Sequence, residues 1–366
     1  MGSMKRRDRF LAALRQEQTD RVPLFDFLFQ QPMYEVLIGR HPESYYSSDA
    51  VECALALDHD GVWLPFGGFS GYQPRYLAED VYQDEWGITY KKTASSWPGD
   101  APIDYPLKTR ADLAKYQLPD PTLSGRATDI EAARDMNNGD IALLGGVPGP
   151  VTTLWLLMGY EYISYALRDD PSLVTELCQM SNDFFKEAAH LSVEAGCVGV
   201  WVAEDLGYSS AGFFSLDDYR RYFLPPFVEL VDYIDGLGVP VLLHSCGHIT
   251  ECLPDLAQTK ISSIHPLQRT AGMDLREVKV RYGDRWCIIG NIDSSRTLPL
   301  GTPEEVAVEV KEAIDIAAPG GGYILASDHS LHDGIPVENI VTMFQVGAEY
   351  GRAFCAKGSG RESATS

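Results

Sequence analysis

Pro240-Val-Leu-Leu-His-Ser-Cys-Gly247 is a short, largely apolar run that leads straight into a histidine, a cysteine and a glycine. Apolar runs of this length bounded by proline and glycine read as buried strands. Strand side chains alternate between the two faces, so His244 and Cys246, two residues apart, point the same way. An imidazole and a thiol converging at a strand end form half of a metal site. Zinc takes both donor types, whereas calcium takes oxygen.

The same pattern recurs on both sides of that run. Strands are expected at 22–29, 60–68, 141–147, 198–205, 240–247, 261–265, 286–291 and 322–329, with helical spacing in most of the intervals between them. In one interval, Pro225-Pro226 must bend or split the helix of 216–236. Eight such units predict an α/β fold, a single (β/α)8 TIM barrel, preceded by an N-terminal helical lead-in over 5–16. Residues 70–122 break the rhythm, with a hairpin expected at 82–90 and a Pro-rich connection after it. An inserted segment of this length reads as a cover over the barrel mouth. One domain is expected over 4–356. Met-Gly-Ser before Met4 reads as an added leader, and the Gly- and Ser-rich stretch 357–366 as a disordered tail.

Composition narrows the partners. The 366 residues carry 30 Lys and Arg against 52 Asp and Glu, a net charge of −22, which argues against nucleic acid and anionic membrane surfaces. The seven cysteines, at 53, 178, 197, 246, 252, 287 and 355, follow no disulfide framework. With no long apolar span and no signal-peptide core, they read as reduced thiols of a cytoplasmic protein. Neither a dinucleotide fingerprint nor a P-loop follows any strand.

In a parallel barrel the chemistry sits at the C-terminal strand ends, so those ends supply the candidates. His329, after the eighth strand, is the chosen third ligand, completing a His2Cys set with one position open; His332 and Glu204 are the alternatives. Glu204 and Asp205 close the fourth strand and are candidates to ligate the metal, to orient a ligand imidazole, or to carry protons. Asn291 and Asp293, again two apart, are expected to face a cofactor at the mouth, with capping of the next loop as the plainer role. Phe69, Tyr72, Tyr208 and Phe213 on strand-end loops are expected to wall a substrate pocket. Cys178, Cys197, Cys252 and Cys287 read as core residues.

With the barrel order and the His-Ser-Cys end in place, the chain resembles the uroporphyrinogen decarboxylase superfamily over almost its whole length. The resemblance is carried by Asp84-Glu-Trp-Gly87, Leu243-His-Ser-Cys-Gly-His248, Gly290-Asn-Ile-Asp293 and the run from Ala326 to Asn339. It implies a barrel of one of two branches: cofactor-free decarboxylases of a tetrapyrrole, and zinc methyltransferases working with a methyl-corrinoid protein. The decarboxylase branch carries an arginine-rich substrate signature on its first strand, where this chain has Phe25-Asp-Phe-Leu-Phe-Gln-Gln31. The methyltransferase branch is marked by His-x-Cys, matched by His244 and Cys246, and by a downstream cysteine whose place here is taken by Asp328-His329.

The resemblance thus implies a Zn2+-dependent methyltransferase, with methylcobalamin or another corrinoid supplied by a partner protein. This chain lacks the Asp-x-His-x-x-Gly corrinoid motif. The small molecule is the methyl donor or acceptor; a methoxylated aromatic donor is favoured, in which case the reaction is an O-demethylation. The alternatives are a metal-free decarboxylase-like lyase and a non-catalytic corrinoid- or tetrapyrrole-binding subunit. A homodimer is the candidate assembly.

Overall fold

The computed structural model describes residues 3–66, 74–93 and 99–362. Seven strands form one parallel sheet in sequence order: β1 Gly61–Pro65, β2 Ala142–Pro148, β3 Gly199–Ala203, β4 Val241–His244, β5 Ser263–His265, β6 Cys287–Ile292 and β7 Tyr323–Ser327. Every neighbouring pair is parallel and separated by at least one helix, so each crossover returns the chain to the same end of the sheet. The fold is therefore α/β around a parallel sheet, and each strand overlaps an interval read from the sequence, with β2 and β6 running one residue past theirs, to Pro148 and Ile292.

Alternation divides the core in two. Leu144, Trp201, Leu242, Cys287, Ile289, Ile324 and Ala326 share one buried cluster inside the curve of the sheet. Their neighbours, including Leu143, Val202, Leu243, Ile264, Ile288 and Leu325, pack outward with the helices. Phe10 and Leu14 of helix Arg6–Leu14 join the inner cluster, so that helix closes the end where the strands begin.

The stretch 22–29, expected as the first strand, departs from regular pairing. Leu24 bridges Leu325 and Leu28 bridges Leu331, so four residues on one side face six on the other and no continuous ladder forms. Phe29 N–H turns back to Phe27 C=O at 3.0 Å. The segment still joins both edges of the sheet: Phe25 N–H donates to Leu325 C=O (3.1 Å), and Asp60 N–H donates to Leu24 C=O (2.9 Å). The reason is packing. Phe25 and Phe27 fill the inside of the sheet, and Asp26 accepts the N–H and the hydroxyl of Ser327 at 2.7 and 2.9 Å.

The expected hairpin within 70–122 belongs to a four-stranded antiparallel sheet of Arg75–Tyr76, Val81–Gln83, Thr89–Lys91 and Ala101–Asp104. Trp86 anchors it on the helix Pro171–Glu194, 4.6 Å from the Phe184 ring and 5.5 Å from Phe185. Expected Phe69 and Tyr72 lie outside the described residues. The double proline is accommodated by a π-type turn over Tyr219–Phe223, and the helix resumes at Leu224–Gly236. The last helix runs Val337–Glu362, into the stretch read as a tail. Among the described residues no helix is long and apolar enough to cross a membrane.

His59, just before β1, is fully buried, neither ring nitrogen has a hydrogen-bond partner, and the ring lies 4.3 Å from that of Phe344. Burial, and then the Arg21 charge, pull its pKa down to about 3. The unfolded chain takes up this proton near pH 6.5 and the folded chain does not, so stability falls as pH drops from about 6.5 toward 3, by up to about 1.4 kcal/mol per pH unit. His59→Leu removes the titrating ring. Denaturant titrations at pH 7.5 and pH 5 should show the variant losing roughly 2 kcal/mol less than the wild type between them. Equal losses would refute this account.

Candidate metal centre

Strand register brings the site together. Ala203 of β3 pairs with His244 of β4, which pairs with His265 of β5. Extending each strand by its period of two sets Asp205 beyond Ala203 and Cys246 beyond His244, all at the C-terminal end of the sheet. Among the described residues, Asp205, His244 and Cys246 are the group whose donor atoms all lie within 4.8 Å of one another. His244 Nε2 is 3.6 Å from Asp205 Oδ1, which also accepts the Cys246 N–H at 3.3 Å. The Asp205 N–H is fixed by the Thr152 hydroxyl at 2.9 Å.

The donor set suits zinc: one imidazole nitrogen, one sulfur and one carboxylate oxygen, on half-buried residues and all within 4.8 Å of one another. Burial, reinforced by Asp205, pushes the Cys246 thiol well above its usual range. Burial draws His244 down to about 4 against the opposing pull of Asp205. A cation at this point reverses the first effect, because it stabilises the thiolate directly. Behind the cluster, His244 Nδ1 meets His265 Nδ1 at 2.8 Å, so one nitrogen of the His244 ring is tied while the other faces Asp205. His265 was legible as a strand end, two residues after inward-facing Ser263, but its place behind His244 follows only from the register.

The loops that carry the cluster are locked together. Gly247 has φ +78°, and a Cβ there would lie 2.2 Å from Gly207 C=O, a backbone atom with no room to yield. Gly247 N–H is taken by Gln268 Oε1 at 2.9 Å and His248 N–H by Tyr208 C=O at 2.7 Å. Gly247→Ala is expected to cost about 2–4 kcal/mol through the positive φ and the clash. It should also displace Cys246, so denaturant midpoint and bound zinc should fall together. An unchanged midpoint would show that the loops can move apart.

Other expected site residues sit differently. Glu204, beside Asp205, faces the opposite way, as alternation requires: it is fully buried and accepts the N–H groups of Val151 (3.1 and 3.0 Å) and Thr152 (3.3 Å) at the start of helix Pro150–Asp169. Burial raises its pKa to about 8 despite those bonds. This placement takes Glu204, an alternative ligand in the sequence reading, out of the three-donor group and sets it at a helix N-terminus. His329 is exposed at the mouth, its ring 5.9 Å from that of His244 and its Nδ1 3.0 Å from the Ser330 hydroxyl, outside the three-donor group. His332 Nε2 is 2.9 Å from Ser294 C=O, which ties it to a loop. Asp293 accepts the N–H groups of Ser295 and Arg296, both at 2.8 Å, the loop-capping role. Asn291 is buried, with Nδ2 on Leu267 C=O at 3.0 Å and Oδ1 without a partner. Asp328 is likewise a loop anchor, accepting from Ser294 and from the Arg269 N–H.

Aromatic rings border the centre. Phe27 stands edge-on to His244 at 5.4 Å and to His265 at 5.3 Å, with Phe29 and Trp63 beside it. Phe213 stacks on Tyr160 at 4.2 Å, and Tyr208, 5.7 Å from Phe213, is exposed. The sequence reading missed Tyr160. Gly159 breaks its helix with φ +71°, and the Tyr105 ring occupies the place a Cβ would take. The Tyr160 hydroxyl has no partner, and burial, then the charges of Asp205 and Cys246, raise its pKa. A glycine inside an otherwise helical pattern was the available signal.

Residues 97–350 match the family profile of uroporphyrinogen decarboxylase (URO-D). The uroporphyrinogen decarboxylase of Alkalilimnicola ehrlichii is 26% identical over 263 residues, covering 67% of this chain and 68% of its own. The methylcobamide:CoM methyltransferase MtaA of Methanosarcina barkeri is 26% identical over 226 residues; the match spans 60% of this chain and 62% of MtaA, less than two thirds of its length. MtbA of Methanosarcina acetivorans, another methylcobamide:CoM methyltransferase, is 23% identical over 328 residues, 87% of this chain and 92% of that one. Among solved structures, a methyltransferase from Methanosarcina mazei superposes with a TM-score of 0.76 at 21% identity, covering 95% of this chain and 99% of its own, a likeness of fold.

Proposed function

This chain belongs to the uroporphyrinogen decarboxylase family, and from that premise we propose that it is a zinc-dependent methyltransferase working between a small molecule and a corrinoid carried by a partner protein. The observation that carries the reading is the Asp205–His244–Cys246 cluster. These three residues would hold the metal, with Asp205 in the place the sequence reading gave to His329. Similarity to MtaA and MtbA supports the methyltransferase branch.

Zinc bound there supplies a Lewis acid with an open position for a substrate oxygen or sulfur. The protein's own residues do the rest. With the metal bound, Asp205 and a deprotonated Cys246 would bring two negative charges to offset the dication, and His244 would add a neutral nitrogen donor. Phe27, Phe29 and Trp63 keep the approach dry, which strengthens every polar contact inside it. Tyr160 and Phe213, stacked beside the cluster with a free hydroxyl, suit a flat aromatic ring, so a methoxylated aromatic remains the proposed donor. The decarboxylase reading is weaker: phenylalanines line the segment where the substrate-binding arginines would be needed.

Two measurements test the proposal. Purified protein should hold close to one zinc per chain, and cob(I)alamin should be methylated by methoxylated aromatics more readily than by thioethers or methylamines. Protein with no zinc after reconstitution, or loaded protein inert toward every donor, would sink it.

A further inference from the structure

Resting on the zinc reading above, we propose that His265 is a positioning residue that holds the proton of His244 Nδ1 and so leaves His244 Nε2 free for the metal. The two Nδ1 atoms are 2.8 Å apart, and the contact can exist only if they share one proton. Two lone pairs would repel, and two N–H groups would collide. The shared proton therefore sits on one ring or the other. If it sits on His265, His244 carries its own proton on Nε2, pointing at Asp205 across 3.6 Å, too long for a hydrogen bond. If it sits on His244, the Nε2 lone pair faces Asp205 and Cys246, and His265 is the acceptor. Only the second arrangement is competent to bind a cation.

His265 is built to hold one orientation. It is fully buried, with Phe27 at 5.3 Å, Trp201 at 5.5 Å and Phe25 at 6.5 Å around its ring. Its other nitrogen, Nε2, has no partner. A buried imidazole held by rings on three sides has one strong polar contact, and that contact is with the candidate ligand. Neighbours of this kind set the tautomer and aim of ligand histidines, and losing one typically weakens metal binding about 10- to 100-fold.

The test is a chelator-competition titration with Zn2+ on the full chain. His265→Phe should bind about 10- to 100-fold more weakly than wild type, whereas His265→Asn, whose side-chain oxygen can accept at the Nδ1 position, should stay within about threefold. A merely structural role would leave the visible spectrum of the Co2+-loaded protein unchanged in both variants; positioning predicts a shifted spectrum for His265→Phe alone. If His265→Phe does not fold, 15N spectra of zinc-loaded wild type decide the matter, since they should show His265 protonated at Nε2 and bare at Nδ1. Wild-type affinity in folded His265→Phe, or a proton on His265 Nδ1 with zinc present, would overturn the inference alone. Wild-type protein that binds no zinc would overturn the proposed function and this inference with it.

Discussion

Cys246→Ser is expected to lose bound zinc and methyl transfer together while keeping the fold. Serine matches the cysteine in shape, but its hydroxyl stays protonated near neutral pH and is a poor zinc ligand, whereas a thiolate is a strong one. Apparent zinc affinity should fall by at least about 100-fold, roughly 2.7 kcal/mol. Stability of the metal-free chain should move little. Cys246 is half-buried, and it is tied to Asp205 through both its backbone N–H and its side chain, contacts that a serine can also make. Cys287→Ser supplies the contrast. That residue is fully buried inside the sheet, so a hydroxyl there lowers the denaturant midpoint and leaves zinc content alone. Metal analysis after gel filtration, together with cob(I)alamin methylation, reads both effects. Full zinc and full activity in Cys246→Ser would rule out the centre.

The strands were legible because each is a short apolar run whose two faces are both covered, one by the inner cluster and one by helices. The stretch 22–29 has the same composition and is irregular, because Asp26 ties to Ser327 while Phe25 and Phe27 fill the interior; those contacts lie about three hundred residues away in sequence and leave no local mark. At the site, the i, i+2 rule identified His244 with Cys246. The same rule separates Glu204 from Asp205, and applying it there would have removed Glu204 from the mouth. The choice of His329 followed chain position at a strand end. What placed Asp205 nearer was the pairing of Ala203 with His244 in adjacent strands, a property of register that spacing within one strand does not contain. His265 and Tyr160 became visible only once three-dimensional neighbours gave one a ring to hold and the other an aromatic partner.

Asp60→Ala should be the most destabilising single change at the opposite end of the sheet. Asp60 is fully buried immediately before β1. Its carboxylate accepts Arg9 Nη1 at 2.7 Å, Arg21 Nη1 at 2.8 Å and the Leu24 N–H at 2.8 Å. Its backbone N–H donates to Leu24 C=O, and its C=O accepts from Ala142 N–H, both at 2.9 Å. One residue therefore joins helix Arg6–Leu14, the irregular segment 22–29 and the first two strands. Removing the carboxylate leaves two guanidinium groups, Arg9 at 5% and Arg21 at 3% exposure, without their shared buried partner. Arg9 keeps Asp20 and Arg21 keeps Asp58, yet the Leu24 N–H is orphaned. Breaking a buried pair from one side costs about 3–5 kcal/mol, a large share of the roughly 5–15 kcal/mol that folds a domain. Asp60→Asn keeps one oxygen to accept from Leu24 N–H and Arg21 Nη1 but puts an amide NH2 where Arg9 Nη1 donates, so it recovers part of the loss and should fall between wild type and Ala. Because the metal cluster lies at the other end of the strands, the folded fraction of either variant should bind zinc with wild-type affinity. Denaturant midpoints ordered wild type, Asn, Ala support this account. An Ala variant within about 1 kcal/mol of wild type would show that Asp20 and Asp58 alone can hold the two arginines.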